Sequence, residues 1–369
     1  TETAASTSIV ELADRICDEQ MQLSEWTEKT ARQVRSIARL FVKVVGHDDP
    51  ARVTQADVGR YRTTVLRLPK NYGKSPADAA RSIDELIDRA KGLPAAEVGI
   101  GGSTLNRHLT QLDRLIQLMQ GHGAKPADYE GVAKLRVRRK GRAREERNRF
   151  SNDDVSAIFS LSPWVDRADD DLAAAIPREA FGRSLFWAPL IALYTGARRE
   201  EICGLTPDEI DFASETPHIR FEANERRRVK NDASRRRVPL HPELLRLGLA
   251  GFVEQCRREG EKVLFPELVA RSARTPMGDV FDGHWTKVRA LAVPDAQAER
   301  KSFHSFRHWL NDEMKQAGVR EEIRRDILGH AGQGTNEERY SNAASLRLML
   351  DALGQVSVLT GHIAARSMA

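Results

Sequence analysis

At 369 residues the chain exceeds one ordinary hydrophobic core, and two domains are expected. Its 40% apolar and 30% charged residues fit a soluble globular protein, and no apolar run is long enough to span a membrane. Residues 1–30 are acidic and broken by polar groups, unlike a signal peptide. Cys17, Cys203 and Cys256 are too scattered for a disulfide framework or a zinc site, so the cytoplasm is the expected compartment.

Residues 1–25 read as a loosely ordered acidic leader with one amphipathic piece around Ile9–Met21. From Thr27 the pattern turns helical: Val34, Ile37, Ala38, Phe41 and Val45 recur at three and four, and Gly46 closes the element. Thr54 with Asp57 three residues on predicts a capping box that opens a second helix, through Leu66. After a turn over Leu68–Gly73, a short helix is expected at Ser82–Ala90. A long one follows, capped by Ser103, with Leu105, Leu109, Leu112, Leu115, Ile116 and Met119 on one face. Residues 26–131 are therefore expected to form an all-helical domain. The Gly99-Ile100-Gly101-Gly102 loop follows no apolar strand and precedes no suitably placed lysine, so it is not read as a nucleotide loop.

The net charge of +5 is concentrated in one place. Residues 1–131 balance 18 basic against 18 acidic residues, whereas residues 132–149 hold nine basic and two acidic ones. Such a block repels itself unless a polyanion lies beside it. One reading is a solvated linker. The other is a strap across a phosphate backbone, with Arg138, Arg139, Lys140 and Arg142 as DNA contacts.

Residues 150–342 open with a helix capped at Ser151 and ending by Ser160, followed by a polar insertion at Asp166–Asp171. An apolar helix over Glu179–Tyr194 is broken by Thr195-Gly196, and a new helix runs from Ala197 to Cys203. His218–Glu222 and Arg236–Leu240 alternate like short strands flanking an arginine-rich turn. Helices are expected at Glu243–Glu259, Met277–Ala290, His304–Ala317, Arg320–Leu328 and Glu337–Leu353. The fold class is mainly α: a helical first domain, then a mostly helical domain with a small antiparallel sheet.

Four short stretches in this second half carry chemistry. Arg198, in Thr195-Gly196-Ala197-Arg198, offers a guanidinium able to grip two phosphate oxygens, with Glu201 one turn on to hold it. Lys230 lies among arginines and reads as a proton donor to a leaving oxygen; its neighbours Arg228 and Arg235 read as phosphate contacts. A solvated hairpin is the plain alternative for the whole run. His304 and Arg307, three apart, share a helix face and pair a proton carrier with a cation. His330 follows Gly329 at a helix end. Tyr340 is flanked by polar residues, unlike a core tyrosine, and needs cationic neighbours to act as a nucleophile.

In this order and spacing the groups resemble the tyrosine recombinase (phage integrase) family, over most of the chain. The resemblance implies that Arg198 and Arg307 clamp a phosphate, Lys230 is the hairpin lysine, His304 and His330 are the paired histidines, and Tyr340 is the nucleophile. It implies a core-binding domain (26–131), a basic linker (132–149) and a catalytic domain (150–342). An apolar tail (343–369) is covered by its own domain or docks on a neighbouring subunit. The implied activity is site-specific cutting and rejoining of DNA through a 3′-phosphotyrosine, with no metal, ATP or other cofactor. The implied partners are double-stranded DNA carrying a recombination site, a homotetramer on paired sites and accessory DNA-bending proteins, with no membrane. The competing readings are a type IB topoisomerase-like DNA-relaxing enzyme and a DNA-binding accessory protein that does not cleave.

Overall fold

A computed structural model of the chain describes residues 8–73, 75–138, 148–165, 176, 182–225, 227, 235–270, 272, 275–330 and 343–366. The chain divides into two compact units, residues 1–140 and 141–369. Among the described residues no helix is long and apolar enough to cross a membrane.

The first unit is helical: α1 (Ile9–Gln22), α2 (Glu28–Val45), α3 (Gln55–Val65), α4 (Pro76–Ala80), α5 (Ile83–Lys91) and α6 (Gly102–Gly121). Within the stretch expected as a loose leader, the amphipathic piece expected around Ile9–Met21 is α1, and it belongs to the core; residues 1–7 lie outside the described residues. Ser8 and Glu11 form a reciprocal capping box, and Ile9, Leu12, Ala13 and Ile16 recur at helical spacing, buried against α2 and α6. The capping box of Thr54 and Asp57 opens α3 as the spacing predicts. Helix α6 starts one residue before Ser103, with Gly101 at its cap and no side-chain cap bond. Its six predicted apolar residues are all buried.

In the second unit the described elements are α7 (Asn152–Phe159), α8 (Ser184–Thr195), α9 (Arg199–Cys203), β1 (Ile210–Asp211), β2 (His218–Phe221), β3 (Arg236–Pro239), α10 (Pro242–Arg246), α11 (Leu249–Arg258), α12 (Met277–Ala292), α13 (Ser305–Gln316), α14 (Glu321–Leu328) and α15 (Leu346–Leu353). Helix α8 is buried on every side, as its unbroken apolar sequence demands, and packs against α9, α10, α12 and α13. The strands form one antiparallel sheet in the order β1-β2-β3. In the β2–β3 register Ile219 faces Val238 and Phe221 faces Arg236. Because side chains alternate across a strand, Arg236 shares the inward face with Val238 while Arg237 points out.

Two boundaries move. The single helix expected at Glu243–Glu259 is split at Gly248, which has φ +97°, and a Cβ there would lie 2.7 Å from the Arg366 carbonyl oxygen. Ser345 caps α15 separately; the expected start of that helix, at Glu337, lies outside the described residues. One face of the apolar tail is covered by its own unit, while Leu348 and Val358 are exposed. Met349, Ala352, Leu353, Val356 and Ile363 join the unit's core, with α15 against β3 and α14.

Candidate active site

The site is built where the ends of α8 and α14 meet the starts of β3, α9 and α13. Gly196 ends α8 in the left-handed region, at φ +62°. A Cβ there would collide with Leu328 Cδ2 and come within 3.1 Å of Leu310 Cδ2, so only glycine lets this corner close onto α13 and α14. The closure brings Arg198 and Arg307 to one place. Arg307 Nη1 donates to the Gly196 carbonyl at 2.8 Å. Arg198 Nη2 donates to the Gly329 carbonyl at 3.1 Å, one residue before His330.

Arg198 is the N-cap residue of α9, just outside the helix, and Glu201 is its third helical residue. From there the Glu201 carboxylate reaches back to the helix start, where an anion is favoured. It accepts the Arg198 main-chain N–H at 2.8 Å and Arg198 Nη1 at 2.5 Å. A third guanidinium shares it: Arg236 Nη2 donates to Glu201 Oε2 at 2.9 Å. Burial raises the Glu201 carboxyl, but Arg236 and then Arg198 outweigh that and hold it down to about 2.

Arg307 sits in the first turn of α13. That helix is anchored by Phe306, packed among Phe150, Trp285 and Phe303, and by Trp309, whose indole N–H donates to Asn152 at 2.8 Å. The Arg307 side chain is buried, and its Nη2 has no hydrogen-bond partner among the described residues. Burial first, then Arg198 and Arg236, pull the guanidinium down to about 9, so it stays charged at neutral pH. A buried cation with an unused donor is a strong attractor for an anion.

His330 follows Gly329, which caps α14 in the left-handed region. The residue is exposed at its surface, yet burial of the ring and the facing Arg307, Arg198 and Arg236 push it down to about 4. The imidazole is therefore neutral at pH 7. His304 is the N-cap residue of α13, half-buried, with its ring edge-on to His308 at 4.9 Å. Arg198, Arg307 and His330 are thus gathered in one cluster, with His304 at the head of the same helix as Arg307. Lys230, Arg228 and Tyr340 lie outside the described residues. Arg235 is exposed just before β3.

The arginine-rich run does not all face solvent. Arg227 is buried, paired with Glu209, and donates to the main-chain carbonyls of Glu201 (2.6 Å) and Glu222 (3.0 Å). Arg236 was not singled out from the sequence, although strand alternation toward Val238 was the available signal. In the first unit Asn106 grips Val137 through both main-chain groups at 2.9 Å, and Arg62 donates to the Leu135 carbonyl at 2.8 Å. This fixes the start of the basic segment and leaves Arg138 exposed. Arg139, Lys140 and Arg142 lie outside the described residues.

Residues 172–347 match the model of the phage integrase family. No curated protein matches the chain. Among solved structures, the Tn1549 transposon integrase in complex with transposon right end DNA is 14% identical, covering 91% of this chain and 96% of its own, with a TM-score of 0.53. A lambda integrase tetramer bound to a Holliday junction is 13% identical, covering 89% of this chain and 79% of its own, with a TM-score of 0.50. At these identities the likeness is one of fold. Residues 172–347 thus carry a phage integrase family domain, and this segment spans Arg198 to Tyr340.

Proposed function

We propose that this protein is a site-specific DNA recombinase that cuts and rejoins DNA through a 3′-phosphotyrosine on Tyr340. The observation that carries the reading is Arg307, a buried guanidinium whose Nη2 has no partner among the described residues, beside Arg198 and the neutral His330. Such a group fits the spare oxygens of a phosphodiester. In the proposed reaction the Tyr340 oxygen attacks phosphorus in line, the bond to the 5′ oxygen breaks, and Lys230 protonates that leaving oxygen. A 5′-hydroxyl from another strand then displaces Tyr340, so the number of phosphodiesters is conserved and no ATP is consumed. Arg198 and Arg307 carry the charge that a metal ion bears in many phosphoryl transfers. His330 and His304 exchange hydrogen bonds with the phosphate and the attacking oxygen. The substrate is double-stranded DNA with a recombination site, and the acting species is a tetramer on paired sites, assisted by DNA-bending proteins, in the cytoplasm.

The test is denaturing electrophoresis of the protein with nicked duplexes tiled across the DNA flanking its coding sequence. Wild-type protein should give a covalent band, and Tyr340→Phe should bind the same duplex without one. A covalent band from the Phe variant would sink the assignment.

A further inference from the structure

Arg236 stands at the start of β3, with its side chain 5% exposed. Among the described residues its guanidinium reaches three elements. Nη2 donates to Glu201 on α9 at 2.9 Å, Nε donates to the Ile327 carbonyl in the last turn of α14 at 2.9 Å, and the cation lies 4.6 Å from the centre of the Phe221 ring on β2. The Ile327 carbonyl belongs to a helix C-terminus, where a cation is favoured. A hydrophobic side chain would fill the space beside Phe221 at a lower desolvation cost. The buried charge needs another account.

Glu201 supplies it. One carboxylate serves two guanidiniums: it orients Arg198 through a direct ion pair, and a carboxylate that held Arg198 alone would also cancel the positive field Arg198 presents to a phosphate. We infer that Arg236 is a positioning residue for strand transfer, balancing Glu201 so that Arg198 is held in place and still cationic, and tying β3 to the turn that presents His330. Arg236 touches no reacting atom in this scheme. It acts through Glu201 and through the Ile327 carbonyl, and the inference rests on the recombinase reading above.

The experiment compares wild type, Arg236→Met, Arg236→Lys, Glu201→Gln and the Glu201→Gln/Arg236→Met double variant. The readouts are covalent-adduct rate on the flanking-DNA nicked duplexes, duplex affinity and thermal midpoint. Arg236→Met should slow adduct formation about tenfold or more, with a much smaller change in duplex affinity, and Arg236→Lys should recover most of the rate. The double variant should exceed the product of the two single effects by about tenfold, within the range of coupling between contacting charges. Multiplicative effects would overturn the inference. So would a loss of rate that tracks thermal midpoint and affinity and is equal in the Met and Lys variants, because that is a plain packing role. If Arg236→Met does not fold, the Lys variant decides: near-wild-type rate supports charge balance, and a rate as low as that of Glu201→Gln at an unchanged midpoint refutes it. Wild-type protein that forms no adduct on any duplex overturns the recombinase reading itself and this inference with it.

Discussion

Glu201 holds Arg198 at both ends, accepting its main-chain N–H at 2.8 Å and its Nη1 at 2.5 Å. The pair fixes the N-cap residue of α9 and the direction of its side chain with one carboxylate. Replacing Glu201 by Gln removes the carboxylate that Arg198 and Arg236 share, beside the buried Arg307. Removing one partner of a buried ion pair costs about 3 kcal/mol, so the variant should show a markedly lower denaturation midpoint as well as a slower adduct rate. The pH dependence has a definite sign. The folded carboxyl is depressed from 4.5 to about 2, so its contribution is complete above 4.5 and is lost as pH falls through about 2. Acid titration of wild type and Glu201→Gln should converge only in that range; parallel curves would show that the carboxylate is not bearing this charge.

Why Arg198 was legible in the sequence and Arg236 was not follows from where their partners lie. Arg198, Glu201, Arg307 and His330 sit at helix ends beside glycines or caps, so local spacing reveals which side chains share a face. The place of Arg236 depends on the pairing of β3 with β2, across an intervening run rich in arginine, and the place of Arg227 depends on Glu209, eighteen residues away. Periodicity does not report such contacts. The core role of α1 was obscured by its acidic outer face, although its apolar spacing was present. The break at Gly248 is set by Arg366, more than a hundred residues further along the chain.

Sulfate should stabilise the protein more at pH 5.5 than at pH 7.5. Free His330 is depressed from 6.5 to about 4 by burial and by Arg307, Arg198, Arg236 and His308, so the folded state binds fewer protons there than the unfolded chain. Its contribution to stability is therefore complete above 6.5 and is lost as pH falls through about 4. A bound anion of fixed charge relieves that penalty and draws a proton onto the ring. His108 and His241 are shifted the same way, so the measurement is the difference between wild type and His330→Asn in sulfate against chloride at equal ionic strength. An identical sulfate response at both pH values in the two proteins would separate His330 from the anion site.

Lys230→Ala should slow cleavage of ordinary DNA severely yet cleave a 5′-bridging phosphorothiolate far better. Sulfur leaves as a thiolate and needs no proton, so a general acid becomes dispensable. Equal impairment on both substrates would remove Lys230 from that role and direct attention to Arg228 and Arg235. Both substrates should also be cleaved in excess EDTA, since guanidinium groups carry the charge in the proposed reaction.

Replacing Arg138, Arg139, Lys140 and Arg142 by Gln should weaken binding to all DNA sequences alike. Contacts to phosphate carry no sequence information, and each one lost should lower the slope of log affinity against log salt by roughly 0.9. A slope equal to that of wild type would return the segment to a plain linker.

Deleting the chain after Asn342 should destabilise the second unit as a whole. The removed residues include Met349, Leu353, Val356 and Ile363, all buried in its core, and truncating a single buried leucine such as Leu353 to Ala already costs about 2–5 kcal/mol. The polar losses compound this. Thr360 donates to Glu243 at 2.7 Å and lies 2.6 Å from the Tyr194 hydroxyl, while Arg246 donates to the Ile363 carbonyl at 3.1 Å. Without the tail, a buried hydroxyl on α8 and the Glu243–Arg246 pair on α10 lose these partners, and β3 loses the α15 cover that lies over the strand carrying Arg236. The truncated protein should be insoluble or should unfold at a far lower temperature. Thr360→Val isolates the polar part, with an expected cost of about 1–3 kcal/mol. A truncated protein that keeps the wild-type midpoint would mean that these buried contacts contribute little, and that the tail serves a purpose other than closing its own core.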